Sequence, residues 1–165
     1  MQQYTNELTP EILAGMDDSP FTPEQLAEMN DEARATIEKQ AEYCRQHPVT
    51  DIYRIAVAGC LTRRGGTGDE FNPNPKEGHK ILLENGVWAS VLTEGCTVSY
   101  PDGTQARIVS TAGSQFTSAD GKGMALVTSQ LDNGDEIIST PQNVGILAFR
   151  AGESMPEDFL VMPGA

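Results

Sequence analysis

The sequence predicts a mainly β protein in which short hairpins follow one another, with an α-helical extension at the N-terminus. Three observations carry this prediction. A turn-and-strand pattern occurs three times within residues 85–127, glycine and proline are frequent, and helical periodicity is confined to residues 1–50. The 165-residue chain holds 16 glycines and 10 prolines, as a fold with many turns requires.

The repeated pattern consists of a tight turn, a small residue and a short apolar strand. Its copies are Asn85–Leu92, Asp102–Val109 and Asp120–Val127, the last with one extra residue before its alanine. Asn-Gly and Asp-Gly pairs supply the positive φ that a two-residue hairpin turn needs. The repetition predicts consecutive hairpins that share one core. The candidate core residues are Trp88, Val91, Leu92, Ile108, Val109, Leu126 and Val127, with Trp88 as an alternative partner anchor.

Residues 1–50 are predicted to form the helical extension. A first helix starts at Thr9-Pro10 and runs to about Met16, where the segment 17–20 breaks it. A second helix starts with Thr22 as N-cap and a capping box, and continues to His47-Pro48. Its apolar stripe either packs on the β-domain of the same chain or docks on a partner. The stripe residues are Leu26, Met29, Ala33, Ile37, Ala41 and Cys44.

Residues 51–150 are predicted to form the β-domain, and residues 151–165 an extended C-terminal tail. A strand over residues 52–58 leads into a glycine-rich loop, and the segment 69–78, with two Asn-Pro pairs, is a second loop. Residues 80–84 lead the first hairpin, and strands at Ile137–Thr140 and Val144–Phe149 complete the domain.

The formal net charge of −13 argues against nucleic acid or an anionic membrane surface as the main partner. It favours solubility, a basic partner surface or divalent cations. We expect no membrane-spanning segment and no signal peptide, and therefore production in the cytoplasm. Cys44, Cys60 and Cys96 are expected to be reduced and mostly buried, because their spacing fits neither a disulfide framework nor a zinc knuckle.

Residues with catalytic potential are present but scattered. They are His79, Ser90, Cys96, Asp102 and the loop Gly65–Gly68. The loop lacks the Gly-Lys-Ser/Thr ending of a phosphate-binding loop, and the side chains match no known catalytic spacing. We therefore predict that the protein is not an enzyme and has no catalytic residues.

The segment from about Ile52 to Phe149 resembles the PAAR family, named for a Pro-Ala-Ala-Arg repeat. That family shows a strand, a Gly-Asp or Gly-Cys turn, a Thr-Ser-His-Gly-Gly loop, and then repeated turns followed by Ala-x-Val. Four segments are similar to it in the same order: Ile55–Gly66, Gly113–Thr117 running into Asp120–Val127, Asn133–Thr140, and Pro141–Val144.

The resemblance implies a small conical β-domain that caps the trimeric β-helical spike of a contractile injection machine, one copy per trimer. It implies a structural tip protein that helps to pierce the target envelope, with transient membrane contact. The absence of a large appended domain favours a phage tail baseplate, and hence the virion tail tip, over a type VI secretion spike tip. A small β-barrel adaptor or completion protein of a virion is the alternative.

PAAR proteins commonly hold one zinc or iron ion near the apex with histidines and a cysteine. The corresponding positions here are Arg64, the region Tyr100–Asp102 and the region Asn133–Asp135. Because a structural metal site needs about four thiolate or imidazole ligands, we predict no metal ligand and no cofactor. If a metal binds elsewhere, His79 with Cys60 or Cys96 would hold it; otherwise His79 is an exposed loop residue.

Overall fold

The computed structural model describes residues 2–17, 21–118 and 121–162. The chain divides into two compact units. The β-unit contains Tyr53–Leu147 together with the terminal segments up to Asn6 and from Ser154. The helical unit contains Glu7–Ile52 and Ala148–Glu153.

Three helices form in the helical unit: α1 (Pro10–Asp17), α2 (Pro23–Glu28) and α3 (Asp31–Gln46). The predicted start of α1 is confirmed, while the break expected over residues 17–20 falls mostly outside the described residues. The predicted capping box is also confirmed. The Thr22 hydroxyl accepts from the Gln25 N–H, and the Gln25 side chain accepts from the Thr22 N–H.

The prediction of one continuous helix from Thr22 to His47 is wrong. Met29 has extended backbone angles (φ −77°, ψ 153°), and the Asn30 side chain accepts a hydrogen bond of 2.8 Å from the Ala33 N–H. Asn30 is therefore the N-cap of a new helix. Five of the six stripe residues are half-buried and Ala41 is exposed. None of the residues of α2 and α3, all of them described, is buried.

Within the described residues, nine short strands follow. They are β1 (Val49–Arg54), β2 (Leu61–Thr62), β3 (Thr67–Gly68), β4 (Lys80–Leu82), β5 (Trp88–Ser90), β6 (Thr97–Ser99), β7 (Gln105–Arg107), β8 (Ile137–Ser139) and β9 (Ile146–Arg150). They form two pairs, β1 with β9 and β4 with β5, and a sheet in the order β7-β6-β3-β2-β8. The chain is thus mainly β, as predicted, and its described strands do not close into a barrel.

The predicted turns lie where the strands pair. Gly86 (φ 86°) lies in the turn between β4 and β5, and Gly103 (φ 88°) in the turn between β6 and β7. In the third copy Gly121 has φ 82°, whereas Asp120 lies outside the described residues. The glycine-rich segment 59–68 is not a plain loop, because it contains the hairpin β2–β3.

The core of the β-unit contains five of the seven predicted residues: Val91, Leu92, Ile108, Leu126 and Val127. Val109 is half-buried. The core prediction for Trp88 is wrong, since its side chain is 45% exposed. Trp88 begins β5 directly after the turn and lies opposite Leu82, which is 51% exposed, so this end of the hairpin extends beyond the core.

The C-terminal segment contacts the rest of the β-unit. Phe159 packs edge-on against Tyr53 with 5.0 Å between ring centroids, and the Leu160 N–H donates to the Thr111 carbonyl. Residues 157–160 form a turn within this segment. Across the described ranges, no helix combines the length and apolar character needed to cross a membrane.

Candidate functional site

Three short segments of the β-unit meet in a closed ring of backbone hydrogen bonds. The Ala56 N–H donates to the Ala125 carbonyl (2.9 Å), the Ala125 N–H to the Leu92 carbonyl (2.8 Å), and the Leu92 N–H to the Ala56 carbonyl (3.0 Å). Each segment therefore donates to one neighbour and accepts from the other. One chain thus repeats the same backbone contact three times around a common point.

A second set of three backbone bonds surrounds this ring and runs around the three segments in the opposite direction. Each donor lies two residues after a ring residue, and each acceptor two residues before one. The bonds run from Ala58 to Ser90 (3.0 Å), from Glu94 to Gly123 (3.1 Å) and from Val127 to Arg54 (2.8 Å). Segments 54–58, 90–94 and 123–127, called the ring segments below, are therefore equivalent.

Each ring segment is followed by the same turn. Three residues after the ring residue the backbone has a positive φ: 95° at Gly59, 87° at Gly95 and 94° at Thr128. The next N–H, of Cys60, Cys96 or Ser129, donates back across the turn to the carbonyl three residues earlier. Thr128 is the exception in chemistry, because it is not glycine. Its hydroxyl is buried without a hydrogen-bond partner among the described residues.

Each ring segment is also preceded by a two-stranded arm and followed by a hairpin. The arms are β9–β1, β4–β5 and the pair around the bridge between Thr117 and Gly123. The three hairpins span residues 60–68, 96–108 and 129–137. At the base of each hairpin, a backbone carbonyl accepts a hydrogen bond from the N–H of the positive-φ residue in the preceding turn. The accepting carbonyls are those of Gly68, Ile108 and Ile137.

The prediction that the three sequence copies are equivalent is therefore wrong for one copy. Asp102–Val109 belongs to a hairpin, and its place among the ring segments is taken by residues 54–58. The Asp102-Gly103 pair has the same turn chemistry as Asn85-Gly86, but it lies in a different part of the repeat. The signal that was missed is a turn dipeptide at similar but unequal spacings, 36 residues (59 to 95) and 33 residues (95 to 128): Gly59-Cys60, Gly95-Cys96 and Thr128-Ser129.

The ends of the three hairpins are joined through Asp135, which is 2% exposed. Its Oδ1 accepts from the backbone N–H groups of Arg64 (3.2 Å) and Glu136 (2.8 Å), and its Oδ2 accepts from the Tyr100 hydroxyl (2.5 Å). Asn133 Nδ2 donates to the same hydroxyl (3.0 Å), and Arg64 Nη1 donates to the Asn133 carbonyl (2.9 Å). We call these residues the Asp135 cluster.

The protonation states in the cluster follow from its contacts. Burial raises the pKa of Asp135, but hydrogen bonds from Thr62, Tyr100 and the N–H groups of Glu136 and Arg64 outweigh it and leave this pKa below its ordinary value. Burial and the bond to Asp135 both raise the pKa of Tyr100. Asp135 is therefore ionised, and Tyr100 keeps the proton that it donates.

The alternative metal ligands lie apart from this cluster. Cys60 is completely buried, and burial raises the pKa of its thiol to about 12. Cys96 is half-buried, so the expectation of mostly buried thiols holds for Cys60 alone. His79 is exposed and lines an open cavity of about 720 Å³ together with Cys96 and Phe71. Within the described part of the chain, no three His, Cys, Asp or Glu side chains are grouped to hold a metal ion.

The other residues with catalytic potential have structural contacts. Ser90 is buried; its N–H donates to Glu70 Oε1 (2.9 Å), and its hydroxyl accepts from the Lys80 ammonium (3.0 Å). Asp102 lies in the exposed β6–β7 turn, where it accepts from Thr104. Neither residue lines the cavity that His79 and Cys96 share.

Exposed apolar side chains occur on or beside each of the three arms. Val144, 76% exposed, lies just before β9. Phe116 is also exposed, and its carbonyl accepts from the Met124 N–H at the base of the third arm. The β4–β5 arm carries Leu82, Val87 and Trp88.

No protein-family model matches the chain, and searches of the curated proteins and of the solved structures found no match either.

Proposed function

We propose that this protein is a structural tip that caps the trimeric β-helical spike of a contractile injection machine, at a phage tail baseplate. The observation that carries the proposal is the closed ring of three backbone hydrogen bonds, with its equivalent arms and hairpins. The PAAR-like order of sequence segments supports the same function. A structural tip of this kind requires no catalytic residue.

The argument rests on symmetry. The end of a three-chain β-helix presents three identical sets of unpaired strand groups, which invite aggregation unless they are covered. A single chain covers all three equally only if it presents a similar backbone surface three times. The ring segments, buried apart from Glu94, repeat one backbone pattern three times as this requires, and strand addition with apolar contacts beside them would supply the affinity.

The exposed apolar residues of the arms are suited to such contacts. Leu82 and Trp88 form one apolar pair on the β4–β5 arm, since they are cross-strand partners, and Val87 is a further exposed apolar residue at the turn end of this arm. Tryptophan is enriched among residues that dominate binding energy at interfaces. We therefore assign Trp88 the role of partner anchor within this proposal.

Co-expression with the trimeric spike protein of the same machine, followed by native mass measurement, tests the function. The expected species contains one tip chain and three spike chains. A ring of tip chains alone, as an adaptor protein would form, or the absence of any complex would overturn the proposal.

A pair of variants tests the interface. Trp88→Ser should weaken the complex at least about tenfold, because truncating a buried interface anchor commonly costs more than about 1.4 kcal/mol. Leu61→Ser is the matched control: Leu61 is also exposed, but it lies in the first hairpin rather than in an arm. Equal weakening by both variants would contradict the assignment of the arms.

A further inference from the structure

The residues at the hairpin ends do not fit the metal ion that the resemblance implies. The corresponding positions hold a guanidinium, a phenol, an amide and a carboxylate, from Arg64, Tyr100, Asn133 and Asp135. A closed zinc site takes about four thiolate or imidazole ligands, and none is present in the Asp135 cluster. Arg64 also contributes a permanent positive charge, which repels a cation.

The carboxylate of Asp135 is already used by hydrogen-bond donors. Two backbone N–H groups point to Oδ1, and the Tyr100 hydroxyl points to Oδ2. A metal ion at this carboxylate would have to displace these partly buried donors and deprive them of their acceptor. An unsatisfied buried donor is destabilising, so the arrangement favours the metal-free cluster.

The cluster connects all three hairpins. Arg64 lies in the hairpin 60–68, Tyr100 in the hairpin 96–108, and Asn133 and Asp135 in the hairpin 129–137. Arg64 binds the third hairpin twice, through its backbone N–H and through Nη1. Tyr100 donates to Asp135 and accepts from Asn133. Charge-assisted hydrogen bonds of this kind are stronger than neutral ones, and the burial of the Asp135 side chain strengthens them further.

We infer that the Asp135 cluster holds the three hairpin ends together in the place where the resemblance implies a metal ion. The single carboxylate supplies the negative charge, and donors from each hairpin replace the ligands of a metal. This inference concerns the β-unit alone and does not depend on spike binding. A failure of spike binding would leave the measurements below unchanged, so the two proposals fail separately.

The first experiment asks whether metal is present. The full chain, purified without chelator, is analysed for zinc and iron and melted with and without EDTA. We expect well below one metal ion per chain and the same melting temperature in both buffers. A stoichiometric zinc or iron content, or a melting temperature that falls with EDTA, would overturn the inference.

The second experiment asks whether the cluster stabilises the fold. Tyr100→Phe removes one hydroxyl and should lower the melting temperature by roughly 3–10 °C, the range for losing a buried bond to a charged group. Asp135→Ala removes the common acceptor and should lower it further. Asp102→Asn is the matched control, because Asp102 is an exposed hairpin-turn aspartate whose Oδ1 the asparagine retains. If Asp135→Ala does not fold, Tyr100→Phe carries the test. A Tyr100→Phe variant as stable as Asp102→Asn would overturn the inference.

Discussion

Thr128 is the residue at which the threefold pattern of turns departs from glycine, and we predict that Thr128→Gly stabilises the protein. Its φ of 94° matches those of Gly59 (95°) and Gly95 (87°) at the equivalent positions. A β-branched residue in this region is strained, because its Cβ crowds the backbone. The buried Thr128 hydroxyl adds a second cost, since it has no partner among the described residues.

The expected gain follows from four contributions. The left-handed backbone costs a non-glycine residue about 1–2 kcal/mol. An unsatisfied buried hydroxyl costs about 1–3 kcal/mol. Glycine loses about 0.5–1 kcal/mol through the greater freedom of its unfolded chain. Removing the side-chain methyl group of this half-buried residue loses up to about 0.8 kcal/mol more. We expect a net stabilisation of about 1–2 kcal/mol, which corresponds to roughly 2–8 °C in melting temperature for a chain of this size.

Thermal and urea unfolding of three variants measures these contributions separately. Thr128→Val removes the hydroxyl but keeps the strained backbone, so its stability should lie between those of the wild type and Thr128→Gly. Gly95→Thr is the reciprocal variant: a Cβ at Gly95 meets no described atom within 4 Å, so the backbone conformation is its main cost. It should lose about 1–2 kcal/mol. The reasoning is refuted if Thr128→Gly unfolds at lower temperature than the wild type, or if Gly95→Thr is as stable as the wild type.

Three further predictions concern single side chains. Because the pKa of Asp135 lies below its ordinary value, its ionised form stabilises the fold at pH values above about 4, the unfolded pKa, and this stabilisation is lost as the pH falls through the folded pKa. The difference in urea midpoint between the wild type and Asp135→Asn should therefore shrink from pH 7 to pH 3, and a growing difference would contradict the assignment. With its thiol pKa raised to about 12 and no exposure, Cys60 should resist a thiol reagent at pH 8 while Cys44 and Cys96 react. Peptide mass spectrometry checks this, and early modification of Cys60 would disprove it. Asn30→Ala should cost about 1 kcal/mol of helix stability by removing the N-cap of α3, measurable as an earlier loss of helical circular dichroism, whereas Asn30→Asp should not.

Local features of the fold were predictable from the sequence because their causes lie within a few residues. The Asn85-Gly86 pair determines the turn and hence the pairing of β4 with β5. Thr22 and Gln25 determine the start of α2. The break at Asn30 was missed although its signal is local. Met29 and Ala33 are spaced in the sequence as on one helix face, and the periodicity of apolar residues gives no information about an N-cap residue between them.

The ring and the Asp135 cluster were not predictable in the same way, because they join residues far apart in the chain. Ala56, Leu92 and Ala125 are joined through main-chain groups, which leave no side-chain requirement to recognise. The resemblance aligned Arg64, Tyr100–Asp102 and Asn133–Asp135 with the metal ligands of the family, without predicting that these residues are bonded to one another at the hairpin ends. Composition alone did not reveal that a buried aspartate there accepts bonds from the first two hairpins.

The contrast between the ring and the hairpin ends explains why one chain with three unequal repeats suits the proposed tip. Backbone bonds form the ring, so the three segments remain equivalent while their side chains differ. Where the hairpins meet, three equal aspartates would place three negative charges close together and repel one another. The chain instead contributes a different group from each hairpin: a backbone N–H from Arg64, a hydroxyl from Tyr100 and a carboxylate from Asp135. A trimer of identical chains has no way to place a single carboxylate at such a point. Within the proposed function, a single chain can therefore repeat one backbone pattern for a threefold partner and still close its hairpin ends through hydrogen bonds to one carboxylate.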